Sequence, residues 1–186
     1  KYDYVKDISD SVYRKSRQAN QAVGCFGSYI SMNEEYLLVS DVTGRHNTLN
    51  HVSGYVSVYK IDNGNFVFED RLFPENTSTS ENRFGIHHIV TDKYIFIAHS
   101  RARENDLTRS AIQIYKKIDN KWKFVKKVFL DFNESYDIFR IYNTALGNTI
   151  ASGSWRQHTK MVYKNNKLYV GTPGLKGLDK TTTYVG

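Results

Sequence analysis

The sequence predicts an all-β chain built from β-propeller blades of four antiparallel strands, and three observations carry that expectation. The stretch Gly54 to Asn63 returns as Ser110 to Asn120, with Val58-Tyr59-Lys60 answered by Ile114-Tyr115-Lys116. Ahead of each copy the same parts recur in the same order: Phe26-Gly27 then Tyr36 to Ser40, and Phe84-Gly85 then Tyr94 to Ala98. Phe26 and Phe84 stand 58 positions apart, as do Tyr36 and Tyr94, while Tyr59 and Tyr115 stand 56 apart, so the period is about 57 residues. Several short strands per unit at such a period are the mark of propeller blades. A chain of 186 residues holds about three units, against roughly four to eight in a closed ring. A partial propeller is therefore expected, completed by further blades or another subunit.

Taken in order, residues 1–25 read as the outer strand of a preceding blade, Tyr2 to Ile8, followed by a polar connector with no helical apolar period. With Lys1 in place of Met, the chain is expected to be a processed or excised piece. Residues 26–73 form the first blade: strands at Ser28 to Met32, Tyr36 to Ser40, Tyr55 to Ile61 and Phe66 to Phe73, with a hairpin turn at Asp62-Asn63-Gly64. Asn-Gly between alternating apolar residues signals a hairpin because both turn positions need positive φ. Pro74 to Arg83 is rich in Ser, Thr and Asn and reads as a loop. Residues 84–130 repeat the scheme, with strands Ile86 to Val90, Tyr94 to Ala98, Ala111 to Ile118 and Trp122 to Leu130, a loop His99 to Ser110 and a turn at Asn120-Lys121. Residues 131–186 read as an incomplete blade with a long insertion, Asp131 to Gln157, in which Ile138 to Tyr142 is a possible extra strand. Lys160 to Tyr163 and Lys167 to Gly171 are its first two strands, and Tyr184-Val185 opens a third.

Composition narrows the function classes. The net charge is +7, but six of the lysines, Lys116, Lys117, Lys121, Lys123, Lys126 and Lys127, lie in one strand-hairpin-strand segment. Lysine on an outer strand guards against edge-to-edge aggregation. No signature of the usual nucleic-acid modules occurs, so no nucleic-acid partner is expected. No run of about eighteen apolar residues occurs, so no membrane insertion is expected. Cys25 is the single cysteine, which excludes an intrachain disulfide and any multi-cysteine zinc site.

Phe26-Gly27, Val39-Ser40-Asp41 and Gly54-Tyr55-Val56-Ser57-Val58-Tyr59 resemble the FG-GAP repeat of integrin α-subunit propellers and of many bacterial and phage proteins. Val170-Gly171-Thr172-Pro173 is the nearest match to its Gly-Ala-Pro segment. The resemblance covers residues 24 to 130 well and 158 to 186 in part. It implies a ring of four-stranded blades that binds proteins or glycans through one face, without catalysis. Many members carry a calcium loop between the first two strands; here those connections, Asn33-Glu34-Glu35, Thr91-Asp92-Lys93 and Asn165-Asn166-Lys167, are too short and too poor in carboxylates. No calcium and no other cofactor is expected.

His87 and His88 are adjacent, so on a regular strand they turn to opposite faces as a partly buried pair. His46, His51 and His99 fall in long segments and could meet. No Gly-x-Ser-x-Gly motif and no phosphate-binding Gly-rich loop occurs. In an up-and-down blade the long connections share one face, and binding residues concentrate on loops held by a rigid scaffold. The expected ligand contacts on that face are Arg45, His46, His51, Arg101, Arg103, Arg109, Trp155 and Arg156; Asp41, Glu75, Glu81, Glu104 and Asp106 also lie there, so no simple anion clamp is implied. The function expected is a non-enzymatic binding or structural module for protein or glycan recognition, extracellular, at a cell surface or on a virion. The alternative is a propeller-fold glycan hydrolase or lyase with a loop-face His/Asp site.

Overall fold

Among the described residues, three hairpins close on two-residue turns with positive φ at both positions. Asn63 and Gly64 (φ 47° and 76°), Asp119 and Asn120 (50° and 59°) and Asn165 and Asn166 (52° and 58°) all take left-handed backbone, the geometry that matches the twist of paired strands. The second turn lies one residue earlier than the sequence predicts. Asp and Asn tolerate positive φ where Lys does not, so Lys121 pairs with Ile118 in the ladder instead. In the computed structural model, residues 26–44, 53–75, 83–104, 107–129, 160–171 and 182–185 are described, and among them every element is a strand and none a helix.

The first sheet runs β1 (Phe26–Met32), β2 (Tyr36–Asp41), β3 (Tyr55–Asp62) and β4 (Asn65–Leu72), each antiparallel to the next. The second runs β5 (Phe84–Val90), β6 (Tyr94–Glu104), β7 (Leu107–Ile118) and β8 (Lys121–Phe129) in the same order. The third holds β9 (Lys160–Lys164), β10 (Lys167–Gly171) and β11 (Thr182–Val185), also antiparallel, with β10 in the middle. The extra strand at Ile138 to Tyr142 and the strand at Tyr2 to Ile8 lie outside the described residues.

The two four-stranded sheets share their irregularities. Register shifts between Phe26 and Ile30 in β1 and between Phe84 and His87 in β5, and in each bulge a glycine after the phenylalanine takes positive φ, Gly27 at 88° and Gly85 at 87°. The outer strands bulge in step as well: Glu69 is the extra residue of β4 between pairs Val58↔Asp70 and Tyr59↔Phe68, and Val125 that of β8 between Ile114↔Lys126 and Tyr115↔Phe124. A bulge on an edge strand twists it away from foreign pairing.

Asn33 and Thr91 cap equivalent turns, the Asn33 Oδ1 accepting from the Tyr36 amide at 2.8 Å and the Thr91 Oγ1 from the Tyr94 amide at 2.9 Å. One predicted loop is absent. His99 to Ser110 continues β6 and β7 as a hairpin, with Ala102 opposite Arg109, Arg103 opposite Thr108 and Glu104 opposite Leu107. The segment is polar, which suggested a loop, but it contains no Gly or Pro to interrupt a ladder.

The sheets stack. β1, β2 and β3 lie against β5, β4 touches β8, and β5 touches β9. Tyr36, Leu38, Val56, Val58 and Leu72 of the first sheet bury against Phe84, Val90, Ile95, Ile97, Tyr115 and Trp122 of the second. Phe96, Ala98 and Ile112 on the reverse of the second bury against Met161, Leu168 and Val170 of the third. Alternate residues of β2 and β6 thus serve two cores, and β2 is buried along its whole length. Each such aliphatic side chain stabilises the stack by about 1.5–3 kcal/mol.

Candidate functional site

The polar residues that the fold collects lie at the seams between sheets. At the seam of β1 and β5, the Tyr29 hydroxyl stands 2.7 Å from His87 Nε2 and Ser31 Oγ stands 2.6 Å from His88 Nδ1. The Tyr29 ring meets both imidazoles, with centroids 4.3 Å from His87 and 4.9 Å from His88. Both histidines are buried, not partly exposed, and both engage the same neighbouring strand. Strict alternation fails because the bulge ends at His87, and a bulge re-aims the side chains beside it.

Burial is the chief cause that pushes His88 down to about 3; the nearby His87 charge adds to it, and a hydrogen bond to the Tyr29 backbone opposes it. A Ser–His pair is thereby present in outline. An imidazole so weakly basic is a poor general base near neutral pH, and the pair works as a pin between sheets. Burial also raises the Tyr29 phenol.

A second seam lies where chain leaves β4. Gln113 Oε1 accepts from the Glu75 amide at 3.0 Å, which turns its Nε2 amide toward His99 Nδ1, also at 3.0 Å. Nδ1 is then an acceptor, so the neutral His99 carries its proton on Nε2. The Tyr115 hydroxyl reaches the Phe73 carbonyl at 2.7 Å and Gln113 Oε1 at 3.1 Å. Burial first, then the charges of Glu75 and Asp70, hold Tyr115 far above the usual phenol range.

At the outer end of the same interface Lys117 of β7 enters a clamp. Its ammonium donates to the Tyr36 hydroxyl and, at 3.0 Å, to Glu69 of the β4 bulge, and lies 4.6 Å above the Tyr36 ring. Desolvation alone would lower the Lys117 pKa; the hydrogen bonds to Tyr36 and Glu69 outweigh it, and the net shift is upward. The pair is partly solvated, so Glu69→Gln is expected to cost about 1 kcal/mol or less in urea denaturation. Its coupling to Lys117→Met is the discriminating quantity. Strict additivity of the two changes in a double-mutant cycle would show that the clamp contributes nothing.

Of the ligand contacts expected from sequence, Arg45, His46, His51, Trp155 and Arg156 lie outside the described residues, as do Glu81 and Asp106. Arg101, Arg103 and Arg109 stand on the extended β6–β7 hairpin, Arg109 opposite Ala102. His99 is withdrawn from the proposed histidine group: it sits on β6, fully buried against Phe84. Asp41 is likewise no surface ligand. It is buried at the end of β2, where Oδ1 accepts from the Thr43 amide and hydroxyl, both at 3.1 Å, and Oδ2 from the Tyr55 hydroxyl at 3.4 Å.

Gln113 and Glu69 are seam residues absent from the sequence expectations, and the signal available for them was their difference from the equivalent positions of the other four-stranded sheet, Ser57 and Val125; Tyr115 matches its equivalent Tyr59 and carried no such signal. Among the described residues no three His, Cys, Asp or Glu side chains converge to hold a metal ion, and no helix is long and apolar enough to cross a membrane. No family model, curated protein or solved structure matches the chain.

Proposed function

We propose that the chain is a non-enzymatic binding or structural module of the β-propeller kind, which presents one end of its stacked sheets to a protein or a glycan at a cell surface or on a virion. The observation that supports it most is the placement of the strand ends. At one end of the sheets sit the tight turns at 33–35, 63–64, 92–93, 119–120 and 165–166. At the other end lie Gly44, Glu75, Phe129 and Gly171, where the described segments stop, and there β6 and β7 run to 11 and 12 residues as a hairpin bearing Arg101, Arg103 and Arg109. Rigid stacked sheets with all longer connections rooted at one end suit recognition. The resemblance to FG-GAP repeats points the same way.

A glycan array and a panel of immobilised extracellular proteins test the proposal. Binding that falls at least tenfold in Arg101→Ala/Arg103→Ala/Arg109→Ala, at an unchanged melting temperature, is the expected result. Release of new reducing ends or of unsaturated sugars from any array glycan would replace the module with the hydrolase or lyase alternative. Absence of binding to both panels would remove the recognition role.

A further inference from the structure

The outward faces of the first and third sheets carry, at equivalent positions, the residue types by which the described sheets meet. On the second sheet, the face that docks on the first carries Phe84, Val90, Ile95, Ile97, Tyr115 and Trp122. The repeat maps these positions onto Phe26, Met32, Leu37, Val39, Tyr59 and Phe66 of the first sheet. Register places that set on the face turned away from the second sheet: Ile30 pairs with Val39, Met32 with Leu37, Tyr59 with Leu37 and with Phe68, and Phe66 with Ile61. Leu37, Val39 and Tyr59 cluster there with Phe26 and Phe66, whereas Ile30, Met32 and Phe68 remain 57%, 61% and 52% exposed. The first sheet thus carries a docking face of the same design, with Phe for Phe, aliphatic for aliphatic and Tyr for Tyr.

The third sheet holds the complementary half. Leu168 and Val170 occupy the docking positions of Ile95 and Ile97 and bury against the second sheet. On the reverse, Tyr169 answers Phe96, the residue by which the second sheet receives the third, and it pairs with Val162, which is 55% exposed. The exposures of Ile30, Met32 and Val162 show that these two end faces do not cover one another within the chain. Apolar exposure of this kind marks an interaction surface.

We propose that a second copy of this chain covers the outer face of the first sheet, its third sheet docking head to tail as the second sheet receives the third within one chain. The contact follows from the stacking rule of the described sheets. Its closure, two copies of the three described sheets making a ring of six, rests on the propeller reading of the previous subsection and lies within the range of roughly four to eight blades. Head-to-tail contacts close into rings or run on as filaments according to their rotation.

Light scattering coupled to gel filtration tests both parts. The chain is expected at the mass of two 21.5 kDa copies. Met32→Lys/Phe68→Lys, which alters exposed positions and should leave the far-UV spectrum unchanged, is expected at one copy, and so is Val162→Lys at the opposite end. Mixed together, the two variants retain one intact face each and should recover the two-copy mass. Monomer at all concentrations up to about 100 μM, a range that reaches weak associations, would overturn the contact. So would a Val162→Lys variant that still dimerises alone, since that requires face-to-face pairing of first sheets. A ladder of higher masses abolished by the same substitutions would uphold the contact and remove closure, and with it the propeller reading.

Discussion

Gly54→Ala is expected to destabilise the chain by about 3 kcal/mol or more, a large share of the 5–15 kcal/mol by which a domain is stable. Two causes add. Gly54 lies at φ +77°, where an L side chain costs about 1–2 kcal/mol. A Cβ there would also fall 2.4 Å from the Phe84 carbonyl oxygen and 2.9 Å from its amide nitrogen. That approach is the backbone joint of the first and second sheets, for the Phe84 amide donates to the Ser53 carbonyl at 3.0 Å. Relief would require the sheets to part and would expose Phe84, Ile95 and Ile97, which bury across the joint.

Gly64→Ala is the control. Its φ is nearly the same, +76°, but its surroundings are open, so only the backbone cost of about 1–2 kcal/mol applies. Urea denaturation followed by far-UV circular dichroism measures both. Equal losses would mean that the joint at Phe84 yields without cost.

Acidification should destabilise the fold through His88. In the folded chain its pKa is lowered to about 3, first by burial and then by the charge of His87, against about 6.5 in the unfolded chain. Between these values the unfolded state binds a proton that the folded state refuses. The stability contributed is therefore complete above about pH 6.5 and declines as pH falls toward 3, by about 1.4 kcal/mol per pH unit at most. His88→Gln removes the titration while retaining a polar group. It should lower stability at pH 7 through its lost fit to Ser31, and flatten the decline between pH 6 and 4.5. Parallel stability curves for the wild type and His88→Gln across that interval would show that the folded protein accommodates the imidazolium.

Strand positions were legible because they depend on local physics. Alternation, the Asn63-Gly64 turn and the recurrence of Phe-Gly mark eight of the eleven described strands to within two residues at either end, and Tyr184-Val185 anticipates the last. The length of β6 and β7 was not legible, since Arg101 to Arg109 is polar enough for a loop and only the partner strand makes it a ladder. His99 and Asp41 carry the side chains of ligands, and the fold spends them on internal hydrogen bonds at buried seams. Glu69 became an inter-sheet partner only because a bulge re-aims it toward Lys117.

The sequence by itself determined the antiparallel meander of strands and most of its turns, because side-chain period and positive-φ residues act over a few neighbouring positions. The tertiary structure alone decided which polar residues are pins and which remain at the surface. Burial, and with it the pKa of His88 and the steric need for Gly54, arises only when a second sheet comes against the first, and no pattern within one strand records that approach.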